Sequence, residues 1–223
     1  FVDRLVRHGY RLGGKRLRPA LVLLSGACLG RVERSHVVLA TVMEMIHTAT
    51  LVHDDVLDGA TLRRHVDTLN VLAGTEASVL LGDFLFSRSF HLASTVGQPW
   101  ACELIGRSTT IVCEGELRQL GTRGRFDLGE EEYLGVIDAK TAELCACCCG
   151  LGARAAGGTP EQVETLEGYG RALGIAFQMV DDLLDLTGDE RTTGKSLGTD
   201  RAQQKLTLPW IHALRRAPAD RRS

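Results

Sequence analysis

Apolar positions recur along most of this chain at spacings of three and four residues, in long segments separated by short stretches rich in glycine, proline and charge. That period puts the apolar side chains on one face of a helix, and the repetition predicts a helical bundle. Residues 17–29 are apolar and stop at Gly30, a natural helix end. Residues 33–58 read as one long helix. Its middle (Val37, Val38, Leu39, Val42, Met43, Ile46) is apolar nearly all round, as suits the centre of a bundle. Further helices are predicted over 76–95, over 99–120 with Pro99 in the first turn, and over 130–156 before Gly157-Gly158. Thr159-Pro160-Glu161-Gln162 then supplies an N-cap, a first-turn proline and an acid for a helix reaching Leu186. Residues 121–129 read as a polar loop and 187–204 as a Gly-, Thr- and charge-rich connection, with one more helix over 206–215. No sustained apolar/polar alternation marks a strand. The fold expected is all-α: a single-domain bundle of mostly antiparallel helices spanning 1–223.

Composition narrows the function. With 223 residues, 44% hydrophobic and 24% charged, the chain can bury a large core. Its 26 basic and 28 acidic residues leave a net charge of −2, which gives no electrostatic case for nucleic acid or an anionic membrane. No uncharged apolar run approaches the roughly 18–20 residues of a membrane span. The chain opens at Phe1 without a basic-then-apolar leader, and the expectation is a soluble, cytoplasmic protein. Four of the seven cysteines (145, 147, 148, 149) crowd into a small-residue helical stretch. A zinc site would want paired Cys-x-x-Cys ligands plus a second pair or histidines at suitable spacing, so these cysteines read as packing residues in a reducing compartment.

Two acidic clusters carry the chemistry. Asp54, Asp55 and Asp58 close one apolar helix; Asp181, Asp182 and Asp185 close another. In each, the first and last carboxylates are four residues apart and share a helix face, where bare like charges repel. All-oxygen sites of this kind suit Mg²⁺, which keeps several waters and is completed by phosphate oxygens. Two such walls could hold metal on both sides of a diphosphate and neutralise a departing pyrophosphate. The cations fit: Lys15, Arg16 and Arg18 after Gly13-Gly14, Arg63-Arg64 beyond the first cluster, Lys140-Thr141, and Lys195 and Lys205 around the connection after the second.

These motifs together closely resemble the trans-isoprenyl diphosphate synthase (polyprenyl synthetase) family. In family order they are Gly14-Lys15-Arg16-Leu17-Arg18-Pro19, Glu44 to Ala49, the first Asp motif with Arg63-Arg64, Gly82-Asp83-Phe84, Glu114-Gly115-Glu116, Lys140-Thr141, Phe177-Gln178 with the second Asp motif, Gly194-Lys195 to Asp200, and Thr207-Leu208-Pro209. The resemblance implies helices around a deep apolar cavity, usually in a homodimer. It also implies head-to-tail (1′–4) condensation of isopentenyl diphosphate with an allylic diphosphate. Carried over, Asp54 and Asp58 would bind Mg²⁺ with Asp55 beside them, and Asp181 and Asp185, with Asp182 between, would hold a further ion opposite. Lys15, Arg18, His47 and Arg64 match the isopentenyl diphosphate side; Arg63, Lys140, Thr141, Gln178 and Lys195 match the allylic side. Released pyrophosphate takes the proton in the family, so no side-chain base is named.

Three departures stand out. Gly59-Ala60 follows Asp58 where members carry another acid or Ser, His65 stands where Gly is usual, and Arg201-Ala202-Gln203-Gln204 replaces Leu-x-Glu-Gly. Relative to the family domain the chain also reads as lacking N- and C-terminal helices. The small Ala49 and Thr50, one turn before the first Asp motif, leave the expected cavity floor open, with Met45, Ile46 and Val42 below. That favours long-chain products of the octaprenyl type over geranylgeranyl diphosphate. A non-catalytic subunit of a heteromeric synthase would tend to lose one Asp motif. A terpene cyclase would carry Asn/Ser/Glu ligands in place of the second.

Overall fold

The structure, a computed structural model, describes residues 1–11, 14–188 and 198–217. Its helices are α1 (Val2–Arg11), α2 (Leu17–Cys28), α3 (Arg34–Leu57), α4 (Leu69–Ala73), α5 (Thr75–Ser94), α6 (Pro99–Thr122), α7 (Glu130–Ile137), α8 (Glu143–Ala155), α9 (Pro160–Thr187), α10 (Thr199–Ala202) and α11 (Leu208–Arg216). The all-α expectation holds, with long-helix ends within two residues of those read from the sequence. Thr159 caps α9 as expected: its Oγ1 accepts from Gln162 N–H, and Gln162 Oε1 accepts from Thr159 N–H.

Helix α3 packs against α2, α5 and α8, and Leu39, Val42, Met43 and Ile46 are fully buried there. By length and composition α3 could cross a membrane. Half of its most apolar window is buried inside the bundle, the position of a core helix. Helix α8 lies as deep, and its cysteines act as slightly enlarged alanines. A Cβ on Gly152 would stand 2.2 Å from Val22 O, and one on Gly170 2.6 Å from Cys145 O. Small residues therefore let α2 and α9 close on α8 from either side. All seven cysteines are free thiols. Burial pushes Cys147 up to about 12, so it stays protonated.

One element the hydrophobic pattern does not announce is a hairpin, β1 (Leu62–Arg63) pairing antiparallel with β2 (Val66–Asp67). Two-residue strands are too short to show alternation. Its tip places Arg64 (φ 52°) and His65 (φ 64°) in the left-handed region, as a primed turn demands. Histidine is strained there, where glycine is not. The variant His65→Gly is expected to raise stability by about 0.5–1 kcal/mol, since relief of the left-handed backbone exceeds glycine's added chain entropy. A higher urea midpoint at unchanged slope would show it.

Candidate active site

The helices enclose a cavity of about 1580 Å³. Charged side chains from α2, α3, the hairpin, α6 and α9 line it, and Leu51, Val112, Leu144 and Leu173 supply apolar wall. Lys15, Arg18, His47, Asp54, Asp58, Arg63, Arg64, Lys140, Thr141, Gln178, Asp181 and Asp182 all line it. Lys195 lies outside the described residues.

The cationic corner is built at the start of α2. Arg16 takes a left-handed conformation as its N-cap (φ 52°) and donates to Glu44 on α3. Arg18 Nη1 donates to His47 Nε2 at 3.0 Å, leaving the imidazole proton on Nδ1. Burial, then Arg18, Arg64, Arg63 and Arg16, hold His47 well below the usual histidine range, so it is neutral. Arg64 folds over Gly14, whose missing Cβ would stand 2.5 Å from Nη1. Among the described residues Arg18 Nε is buried without a hydrogen-bond partner. Several guanidiniums facing one carboxylate, with a buried donor unspent, make a site for an anion.

The first acidic wall is the end of α3. Burial raises the Asp54 carboxyl to about 6; Lys140 lowers it, and Glu116 and Asp58 raise it. Asp58, the C-cap of α3, accepts from Arg123 at 2.9 Å and from Lys205 at 3.3 Å. Asp55 turns away from the cavity. It is 2% exposed and accepts from Arg63 Nε at 2.8 Å. Arg63, expected on the allylic side, thus lines the cavity while tied to Asp55.

The second wall belongs to α9 and is held by a chain of hydrogen bonds. Thr141 Oγ1 donates to Gln178 Oε1 (2.8 Å), Gln178 Nε2 to Asp182 Oδ1 (2.7 Å), and Tyr133 Oη to Asp182 Oδ2 (2.6 Å). Asp181 faces the cavity beside this network. Asp185 sits behind the wall, 5% exposed, and accepts from the Asp200 N–H at 3.3 Å. Lys140 is held to α6: Nζ lies 2.6 Å from Glu116 and donates to Gln119 at 3.0 Å. Burial opposes its charge, but Asp54 and Glu116 outweigh it and its pKa rises.

Lys140 and Thr141 are aimed by one turn of π-helix, Asp138–Ala142, between α7 and α8. A π turn widens the helix by one residue and is common at functional sites. Glycines on both neighbours make room for it. A Cβ on Gly115 of α6 would stand 2.8 Å from Lys140 N, and one on Gly174 of α9 2.5 Å from Ala142 Cα.

Sequence reading missed Tyr133, Gln119 and Arg123. Tyr133 precedes Lys140 by seven residues, two helical turns, a spacing that places both on one face; Arg123 sits in a loop with no such signal. The expected floor is corrected in part. Thr50 lines the cavity, but Ala49 is fully buried against Leu81 and Leu85, and Val42 and Ile46 belong to the core behind. Tyr133→Phe removes a short side-chain hydrogen bond to buried Asp182. It is expected to cost about 1–2 kcal/mol in thermal or urea unfolding.

The sequence pattern that defines the polyprenyl synthetase family matches residues 1–223, the whole chain. The chain belongs to that family. It is 42% identical over 205 residues to the octaprenyl diphosphate synthase of Escherichia coli (strain K12), covering 91% of this chain and 62% of that protein. Among solved structures, a polyprenyl synthase from Caulobacter crescentus CB15, complexed with calcium and isoprenyl diphosphate, superposes with a TM-score of 0.95 at 40% identity. That match covers 98% of this chain and 66% of the other. A decaprenyl diphosphate synthase from Rhodobacter capsulatus gives 0.93 at 42%, covering 99% and 68%. The chain thus spans under two thirds of the length of the first of these relatives.

Proposed function

We propose that this polyprenyl synthetase domain condenses isopentenyl diphosphate head-to-tail (1′–4) with an allylic diphosphate to give a long all-trans polyprenyl diphosphate. One observation carries the reading: two acidic walls, Asp54/Asp58 on α3 and Asp181/Asp182 on α9, face a single cavity that also holds the cationic corner. The long-chain names of the 42%-identical relatives support the product class.

The residues fit Mg²⁺. Their donors are all carboxylate oxygen, and among the described residues no three acids, histidines or cysteines are drawn into a closed cage. An ion completed by water and diphosphate oxygens suits such an open set. Asp54 and Asp58 would hold it on one side and Asp181, with Asp185 behind, on the other. Bound there, Mg²⁺ would neutralise the pyrophosphate that leaves.

The rest is work for this chain's own side chains. Lys15, Arg18, neutral His47 and Arg64 grip isopentenyl diphosphate. Lys140, Thr141 and Gln178 orient the allylic diphosphate, with Lys195 assigned there from the sequence motif. The allylic C–O bond breaks, the isopentenyl double bond attacks the allylic carbon, and a proton is lost to the departing pyrophosphate. The apolar wall keeps water from the cation meanwhile. A homodimer in the cytoplasm is the proposed form and place of action.

The test is product chromatography after incubation with Mg²⁺, isopentenyl diphosphate and farnesyl diphosphate, beside an Asp54→Ala control. A ladder extending past geranylgeranyl diphosphate, absent from the control, is expected. Termination at geranylgeranyl diphosphate would overturn the long-chain assignment, and equal product from the control would overturn the site.

A further inference from the structure

Three separate parts of the chain meet on one carboxylate. Asp58 Oδ1 accepts from Arg123 Nη2 at 2.9 Å, at the end of α6. Both Asp58 oxygens lie 3.3 Å from Lys205 Nζ. Gln203 Nε2 donates to the Asp58 carbonyl at 3.4 Å, and Gly124 N–H donates to Gln204 O at 3.0 Å. The two loops are therefore bonded both to the end of α3 and to each other. The side chains of Arg123, Lys205 and Asp58 are 29%, 11% and 25% exposed, so solvent screens this cluster only in part.

On the reading that Asp58 is a metal ligand, these contacts have a consequence. A carboxylate already paired with two cations binds a third only against their repulsion and by giving up part of those contacts. We propose that Arg123, assisted by Lys205, is the internal counter-ion of Asp58, which metal must displace. Metal capture then loosens the joint between residues 123–124 and 203–205. In this role Arg123 is a positioning residue. It balances the charge of Asp58 before metal binds and so lowers the affinity of the acidic wall for metal. The Gly124–Gln204 bond links the state of Asp58 to the loop that follows α6. Lys205, at the longer distance, contributes less.

The test measures Mn²⁺ binding from the free-ion electron paramagnetic resonance signal, without substrate. Wild type, Arg123→Gln, Arg123→Lys, Asp58→Asn and Asp58→Asn/Arg123→Gln are compared. Arg123→Gln is expected to tighten Mn²⁺ binding about three- to fivefold, the scale of a partly exposed ion pair. Arg123→Lys, which keeps the charge, is expected to stay near wild type, and the gain is expected to vanish in the Asp58→Asn background. Unchanged or weaker binding by Arg123→Gln would overturn the proposal. So would a gain that persists without Asp58, because that is a general charge effect. Hydrogen exchange at the Gly124 amide is expected to quicken when Mg²⁺ is added to wild type; no change would likewise overturn it. Absence of Mn²⁺ binding in every variant would overturn the metal reading together with this inference.

Discussion

Gly174→Ala is expected to cost about 2–4 kcal/mol of stability and to remove most activity. The added methyl would stand 2.5 Å from Ala142 Cα and 3.0 Å from Ala142 Cβ. The obstacle is backbone inside a buried π turn, so no flexible side-chain end can swing aside. Either α9 moves outward or the π turn shifts. The first separates Gln178 and Asp182 from Thr141 and Tyr133; the second re-aims Lys140. Both break the hydrogen-bonded chain that sets the second acidic wall. Circular-dichroism melting would show a lowered midpoint, and turnover measured below that midpoint would still be depressed. A variant of native stability and full turnover would show that the close approach of α9 to the π turn is dispensable.

Asp54→Asn is expected to separate stability from function. Burial lifts this carboxyl to about 6, so its ionised form is penalised in the folded state. The folded protein holds this proton more tightly than the unfolded chain, so stability falls as pH rises from about 4 to about 6 and is level above. Asparagine carries no charge to desolvate, and Lys140 keeps its partner Glu116 at 2.6 Å. Above pH 6 the variant should therefore melt no lower than wild type. Its turnover should fall by about a thousandfold, the scale for losing a charge-stabilising group at a reacting centre. Melting curves at pH 5 and 8, with initial rates at saturating Mg²⁺, test both halves. A destabilised but active variant would contradict them.

Much of this site was legible because helical periodicity is a strong signal. The spacing of Asp54 and Asp58 put both on one face, and both do line the cavity. The same rule favoured Asp181 and Asp185 as a pair, yet it is Asp181 and Asp182 that face inward. Spacing fixes which residues share a face but not how the helix is rotated about its axis. That rotation is set on α9 by Gly170 and Gly174 against α8 and the π turn. Asp55 was unreadable for a similar reason, since its orientation depends on Arg63 in a hairpin with strands too short to announce themselves. The π turn was hidden as well, because the glycines that accommodate it lie on two other helices. The floor residues divided along the same line. Thr50 and Ala49 are adjacent in sequence but about 100° apart around α3; on this helix Thr50 lines the cavity while Ala49 packs with Leu81 and Leu85.

The central claim is that both acidic walls act on one diphosphate. The most direct measurement is Mn²⁺ binding with and without inorganic pyrophosphate, in wild type, Asp54→Asn and Asp181→Asn. Pyrophosphate is predicted to increase Mn²⁺ binding by wild type, and either substitution, on opposite walls, to abolish that increase. An increase that survives the loss of Asp54 or of Asp181 would contradict the claim.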